Sequence, residues 1–156
     1  MQPYSTYKQQ QMRITEPVTP EEYQEYYRLR FETLRQPWGE PEGSEKAEDD
    51  ASAIHAMLVD DEEETVGVCR LHLNTPQEGQ LRFMGIRQDR QGQHLGNLLM
   101  QYMEERAKTM GATALTLHAR ENAVNFYRRN GYEIVEESYI LFGTIQHYRM
   151  TKQLDA

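Results

Sequence analysis

Six consecutive residues, Gln91-Gly92-Gln93-His94-Leu95-Gly96, have the types and spacing to hold an anion. They follow a strand-like run over residues 81–86 and open an amphipathic helix that extends to about Met110. A turn of small and polar residues at a helix N-terminus gathers several backbone N–H groups at one spot. Together with the positive end of the helix dipole, it makes an anion site suited to a pyrophosphate. Neither the P-loop Gly-x-x-x-x-Gly-Lys nor the Gly-x-Gly-x-x-Gly of dinucleotide folds is present, so neither explains the turn. Proton transfer has candidates in His118 at the end of a strand, His147 on the last strand, and Glu121. Each histidine, with His55 and His72, reads equally well as a hydrogen-bonded structural residue. The lone Cys69 reads as a small buried strand residue, since spacing implies no paired histidine. No group of His, Cys, Asp or Glu has metal-ligand spacing, so no metal is expected.

The elements that must position these residues can be read from pattern. The 156 residues suffice for one domain over 12–156, preceded by a polar, glutamine-rich tail over 1–11. Met12 to Thr15 reads as a strand stopped by Pro17. Thr19, Pro20 and Glu22 form a capping box, and Tyr23, Tyr26, Tyr27, Phe31 and Leu34 continue that helix with a spacing of three and four. Pro37, Gly39 and Pro41 break it. Three strands follow, over 54–59, 65–73 and 80–87, joined by an acidic solvated turn at 60–64 and a longer turn at 74–79. The helix after the anion turn stops at Gly111. A strand over 113–117 should then run parallel to its predecessor by a right-handed crossover. A short helix carries Ala123, Phe126 and Tyr127 and ends at Gly131, and two last strands cover 132–142 and 145–153. The order βαβββαβαββ predicts an α/β sandwich on a mixed sheet.

Charge excludes one class of partner. With 17 basic and 25 acidic residues the net charge is −8, which disfavours nucleic acid. It favours a cationic or amine-bearing small substrate, or simply a soluble surface. No apolar run is long enough to span a bilayer, and the first eleven residues lack the apolar centre of an export signal, so a cytoplasmic protein is expected. Exposed edges on the last strands admit a homodimer as well as a monomer.

The anion turn resembles the Gln/Arg-x-x-Gly-x-Gly/Ala signature of the GNAT superfamily of acyl-CoA-dependent N-acyltransferases. Gln91 and Gly96 fill its ends, and His94 replaces its central glycine. Residues 119–132 resemble the same family's strand–helix–strand segment through Ala123, Tyr127, Gly131 and Tyr132. Arg120 stands at that segment's usual asparagine position, with Asn122 two residues on. The resemblance covers about residues 12–154. It implies a seven-stranded, mostly antiparallel sheet with helices on both faces. It also implies acetyl-CoA as cosubstrate, with its pyrophosphate on Gln91, Gly92, Gln93, His94, Leu95, Gly96 and Asn97.

On the same grounds the pantetheine arm would run along Met84, Gly85 and Ile86 where the fourth and fifth strands splay, with Asn122, Phe126 and Tyr127 alongside. Arg87, Arg90, Arg128 and Arg129 would be candidates for the 3′-phosphate. Gly85 suits a bulge, or a packing need beside a large side chain. A strand N–H near Gly85 or Ile86 would face the thioester oxygen. Tyr127 would donate a proton to the leaving thiolate, and His118 or His147 would take one from the amine. Arg30, Arg35 and Trp38 would line the acceptor pocket. The implied activity is direct acetyl transfer to a primary amine, a small molecule or else a protein amine. A non-catalytic acyl-CoA sensor and a nucleotide-binding domain are the alternatives.

Overall fold

The structure is a computed structural model that describes residues 11–155, so the tail expected over 1–11 falls almost wholly outside it. Seven strands form one sheet in the order β1-β2-β3-β4-β5-β7-β6. They are β1 (Arg13–Thr15), β2 (Ile54–Val59), β3 (Thr65–Thr75), β4 (Glu78–Ile86), β5 (Ala114–Arg120), β6 (Glu133–Leu141) and β7 (Ile145–Gln153). Three α-helices interrupt them: α1 (Pro20–Leu34), α2 (Leu95–Thr109) and α3 (Val124–Arg129). The expected βαβββαβαββ order is therefore observed.

Local chemistry sets the helix ends. Thr19 Oγ1 accepts from the Glu22 amide at 3.1 Å, and Glu22 Oε1 accepts from the Thr19 amide at 3.0 Å, so the capping box closes. The hairpin between β3 and β4 is tighter than the sequence suggests. Thr75 pairs with Glu78, and Thr75 Oγ1 accepts from the amides of Gln77 and Glu78, which leaves two residues at the tip. The acidic turn at 60–64 is not wholly solvated. Asp60 is buried, its Oδ1 accepts from the amides of Glu62 and Glu64, and its Oδ2 accepts from Arg90.

The sheet has a helix layer on each side. Alternation along β2 sends Met57 and Val59 towards Tyr26 and Leu29 of α1. Ala56 and Leu58 face the larger core built with Leu95, Leu99, Met100, Met103 and Ala107 of α2. Among the described residues no helix is long and apolar enough to cross a membrane.

Two irregularities open the sheet. The parallel pairing of β4 with β5 runs from Glu78↔Ala114 to Leu81↔Leu117 and stops there, so the strands part beyond those residues. On its other side β4 slips register against β3 between Arg70↔Arg82 and Val68↔Gly85, which inserts a bulge. The bulge sits at Phe83, whose φ of 59° is left-handed, rather than at Gly85. Gly85 answers a packing need instead: a Cβ there would clash with Thr33 Oγ1 of α1. That hydroxyl also donates to the Leu29 carbonyl at 2.7 Å, so it is not free to swing away. Gly85→Ala is expected to cost about 1–3 kcal/mol by overpacking. Urea unfolding checks this, and a midpoint equal to that of the parent would refute the close contact.

Candidate active site

The loop from Gln91 to the start of α2 has the features an anion site needs. Gly92 and His94 both take left-handed conformations, with φ of 82° and 62°. Such residues turn neighbouring N–H groups to one side, as in an anion nest. His94 thus holds the backbone shape that a glycine would adopt freely, at a cost of order 1 kcal/mol. It contributes no side-chain cap to α2. Among the described residues the amides from Gly92 to Asn97 have no acceptor, and the first amides of α2 have none within the helix. Gln91 ties the loop to the strand through Nε2, which donates to the Ile86 carbonyl at 3.2 Å. Gly96 lets α3 approach: a Cβ there would stand 2.9 Å from the ring of Phe126. Asn130 Nδ2 closes this contact by donating to Asn97 Oδ1 at 3.2 Å and to the Phe126 carbonyl at 2.9 Å.

A cleft of about 670 Å³ runs from this loop through the gap between β4 and β5. Its walls include Met84, Gly85 and Ile86 from β4, and Gln91, Gly92, His94, Leu95, Gly96 and Asn97 from the loop. Asn122, Phe126, Tyr127 and Arg129 wall it from the α3 side. Of the residues expected along the pyrophosphate and the pantetheine arm, only Gln93 lies outside the lining; its Oε1 accepts from Arg90 Nε at 3.3 Å. The direction of the strand amides can be deduced. Arg87 N–H donates to the Val66 carbonyl on β3 at 2.8 Å. Alternation then turns the Gly85 amide to β3 as well, and the Ile86 amide to the open side. Ile86, not Gly85, is the strand donor available to the cleft.

The candidates for proton transfer converge on the same space. Tyr127 packs edge-on against Phe126 at 5.0 Å and Tyr132 at 6.1 Å. Among the described residues its hydroxyl has no hydrogen-bond partner, and burial pushes its pKa above that of an ordinary phenol. His118 and His147 both line the cleft and both contact the Tyr139 ring, with centroid distances of 5.3 and 4.5 Å. His147 Nδ1 pairs with the Ile145 carbonyl at 3.0 Å, whereas His118 Nδ1 is buried without a partner. Burial lowers the pKa of both, and for His118 the neighbouring Arg149 adds to it, so both are neutral at pH 7. A neutral imidazole is the form that accepts a proton. Cys69 is fully buried, and burial pushes its thiol up to about 12, which removes it as a nucleophile.

The acceptor end corrects two expectations. Arg30 does not line the cleft. It is fully buried beneath α1, where its guanidinium donates to Asp50 Oδ2 and the Glu45 carbonyl, each at 3.0 Å, and to Tyr26 Oη at 2.6 Å. Trp38 is neither a cleft wall nor a buried anchor. It is 43% exposed and leans on Phe142 of the β6–β7 turn with ring centroids 6.5 Å apart. Arg35 does line the cleft. Of the candidates for the 3′-phosphate, Arg87 is held by Asp89 at 2.7 Å and Arg90 by Asp60 at 2.9 Å, while Arg129 faces the cleft. Sequence reasoning missed Arg82, Arg120 and Tyr139 as cleft residues. Arg82 alone left a signal, a charge between two large apolar neighbours in a strand. Tyr139 reaches the cleft only because β7 enters the sheet between β5 and β6.

Comparison with known proteins agrees with this geometry. A family model described as the acetyltransferase (GNAT) family matches residues 21–132. The chain is 29% identical over 96 residues to the uncharacterized N-acetyltransferase YjcF of Bacillus subtilis (strain 168), across 62% of this chain and 68% of that one. An aminoglycoside 6′-N-acetyltransferase complexed with coenzyme A shares the fold with a TM-score of 0.77 at 18% identity, over 92% of this chain and 98% of the other. So does a GNAT family acetyltransferase from Elizabethkingia anophelis with acetyl-CoA bound, with a TM-score of 0.71 at 13% identity, over the same shares of the two chains.

Proposed function

The chain belongs to the acetyltransferase (GNAT) family, and from that premise we propose that it transfers the acetyl group of acetyl-CoA to the nitrogen of a small primary amine. The amine attacks the thioester carbonyl directly in a ternary complex, with no covalent enzyme intermediate. One observation carries this reading. The pairing of β4 with β5 ends at Leu81↔Leu117, beside a loop whose amides lack acceptors among the described residues. A diphosphate answers those amides, and an extended arm answers the unpaired edge of β4.

Each chemical step then has a residue. The amine arrives as an ammonium and gives a proton to a neutral imidazole, His118 or His147. Its lone pair forms the new C–N bond, and the carbonyl oxygen gains the charge that the Ile86 amide is placed to receive. A fixed donor of that kind is worth about 3 kcal/mol in comparable acyl transfers. Collapse breaks the C–S bond, the Tyr127 hydroxyl donates a hydrogen bond to the departing thiolate, and the second proton, shed by the nitrogen as the amide forms, passes to the thiolate or to solvent.

Two measurements test this. Coenzyme A at about a hundredfold excess over its Kd should add about 2.7 kcal/mol of stability and raise Tm by several degrees. Free thiol should appear when acetyl-CoA is mixed with a panel of primary amines. Stabilisation by coenzyme A with no thiol release from any amine would replace the enzyme with a sensor. Stabilisation by ATP or NAD but not by coenzyme A would overturn the ligand class.

A further inference from the structure

The charge of the cleft is opposite to that of the chain. The protein carries a net charge of −8, yet among the described residues no aspartate or glutamate lines the cleft. Arg35, Arg82, Arg90, Arg120 and Arg129 do. Arg90 is committed to Asp60, Arg129 is the last residue of α3, and Arg120 ends β5 paired with His147. Arg35 and Arg82 form a separate group.

These two belong to a cluster of four guanidinium groups around the ring of Phe83, the residue at the bulge. Arg30 lies 4.0 Å from the ring centroid, Arg82 4.4 Å, and Arg35 and Arg70 5.6 Å each. Arg30 and Arg70 are neutralised by Asp50 and Asp49 through contacts of 2.7 to 3.0 Å. Arg35 has no ion pair among the described residues; its donors go to the Ser44 and Leu34 carbonyls, at 3.1 and 3.0 Å. Arg82 is exposed and has neither a hydrogen bond nor an ion pair among them. Four cations and two carboxylates leave two positive charges at the cleft wall. Partial desolvation at the cleft wall, and after it repulsion from neighbouring guanidinium groups, hold both below their ordinary pKa, a field that an arriving anion would relieve. Glu40 acts on Arg35 only at a distance, and Asp49 is already engaged by Arg70. Opposite stand neutral His118 and Tyr139, neither of which supplies a negative charge.

We propose that the acceptor carries an oxyanion, a carboxylate or a phosphate, beside its amine, and that Arg35 and Arg82 bind it. The planar guanidinium fork suits either group through paired charged hydrogen bonds. Once the anion is held there, the amine is directed inward towards His118 and the gap between β4 and β5. The negative overall charge had suggested a cationic substrate; the cleft wall argues the reverse, and a polycationic amine would meet two unpaired arginines. This inference rests on acetyl transfer occurring in that cleft.

Matched acceptors test it: an α-amino acid against its amide, an amino sugar phosphate against the bare amino sugar, and an aminoglycoside as the polycation. The anionic member of a pair should have the higher kcat/KM by about tenfold or more, the range of hydrogen bonds to charged groups. Which pair shows the gap separates carboxylate from phosphate. Arg82→Gln should bring that ratio close to one without changing the KM for acetyl-CoA, and Arg82→Lys should restore part of it. Arg35→Gln should act in the same direction, with its Tm measured alongside. Equal or faster turnover of the neutral and polycationic amines, insensitive to Arg82→Gln, overturns the oxyanion while leaving the transferase intact. Absence of thiol release with every acceptor overturns both.

Discussion

Tyr127→Phe is expected to lower kcat by about a hundredfold, leave the KM for acetyl-CoA within about twofold, and leave stability unchanged or slightly raised. The last part of that expectation distinguishes the role. Among the described residues the Tyr127 hydroxyl has no hydrogen-bond partner, while its ring is wedged between Phe126 and Tyr132. Removing an unpartnered hydroxyl at the cleft wall breaks no protein hydrogen bond and keeps the ring packing. A tyrosine present only to fill space would therefore lose nothing on becoming phenylalanine. One that serves the leaving group would lose its single donor. Burial raises the phenol's pKa, so it is neutral at every physiological pH and acts as a donor, never as a base. An alkyl thiol ionises near ~8.5, below the phenol. The hydroxyl therefore works as a hydrogen-bond donor to the developing sulfur charge and keeps its proton. Steady-state rates with saturating acetyl-CoA, together with a thermal melt, check the pair of effects. A kcat equal to the parent's removes Tyr127 from the chemistry.

The anion turn and the order of elements were legible because their signals are local. The capping box of Thr19 and Glu22 spans four residues, and the anion turn six. The β2 alternation that feeds both cores lies within six more. What escaped involves partners far apart in the chain. Arg30 is expected in the acceptor pocket because the resemblance lines that pocket with the first helix. Its burial is set by Glu45 and Asp50, which lie beyond the helix, Asp50 in a short 3-10 helix over Glu48–Ser52. The sequence suggested a bulge near Gly85 because glycine is the residue that permits one. The structure puts the left-handed conformation on Phe83, whose ring is held among guanidinium groups, and uses Gly85 to let α1 pack closely. The cleft's charge was hidden for a similar reason. Net charge sums over the whole chain, while Arg35, Arg82 and Arg120 come from α1's end, β4 and β5 and meet only in three dimensions.

The same distant partners predict the largest stability effect, at Asp50. Its Oδ2 accepts from Arg30 Nη1 at 3.0 Å, from the Tyr27 hydroxyl at 2.9 Å and from the Ala47 amide at 3.0 Å. Its Oδ1 accepts from Arg70 Nη1 at 2.7 Å. Both arginines are fully buried, and each already has an Nε without a partner. Arg70 keeps Asp49 if Asp50 is neutralised, but Arg30 is left with no carboxylate among the described residues. Breaking a buried pair from one side costs about 3–5 kcal/mol. Asp50→Asn should fall in that range, lowering Tm by about 6 °C or more. The pH dependence supplies an independent check. Burial pushes the Asp50 carboxyl up, but the Ala47 amide, Arg70 and Arg30 together outweigh it and hold the pKa below the usual carboxylate value. A depressed folded-state pKa contributes stability that is present above the unfolded value and is lost as pH falls through the folded one. The gap between parent and variant should therefore be constant near neutrality and narrow below about pH 4. Because Arg30 lies against the Phe83 ring, the variant should also loosen the bulge that opens β4 to the cleft, and catalysis should fall with stability. A variant that melts with the parent, or a gap that keeps its size at acid pH, would show that Asp50 does not anchor these arginines.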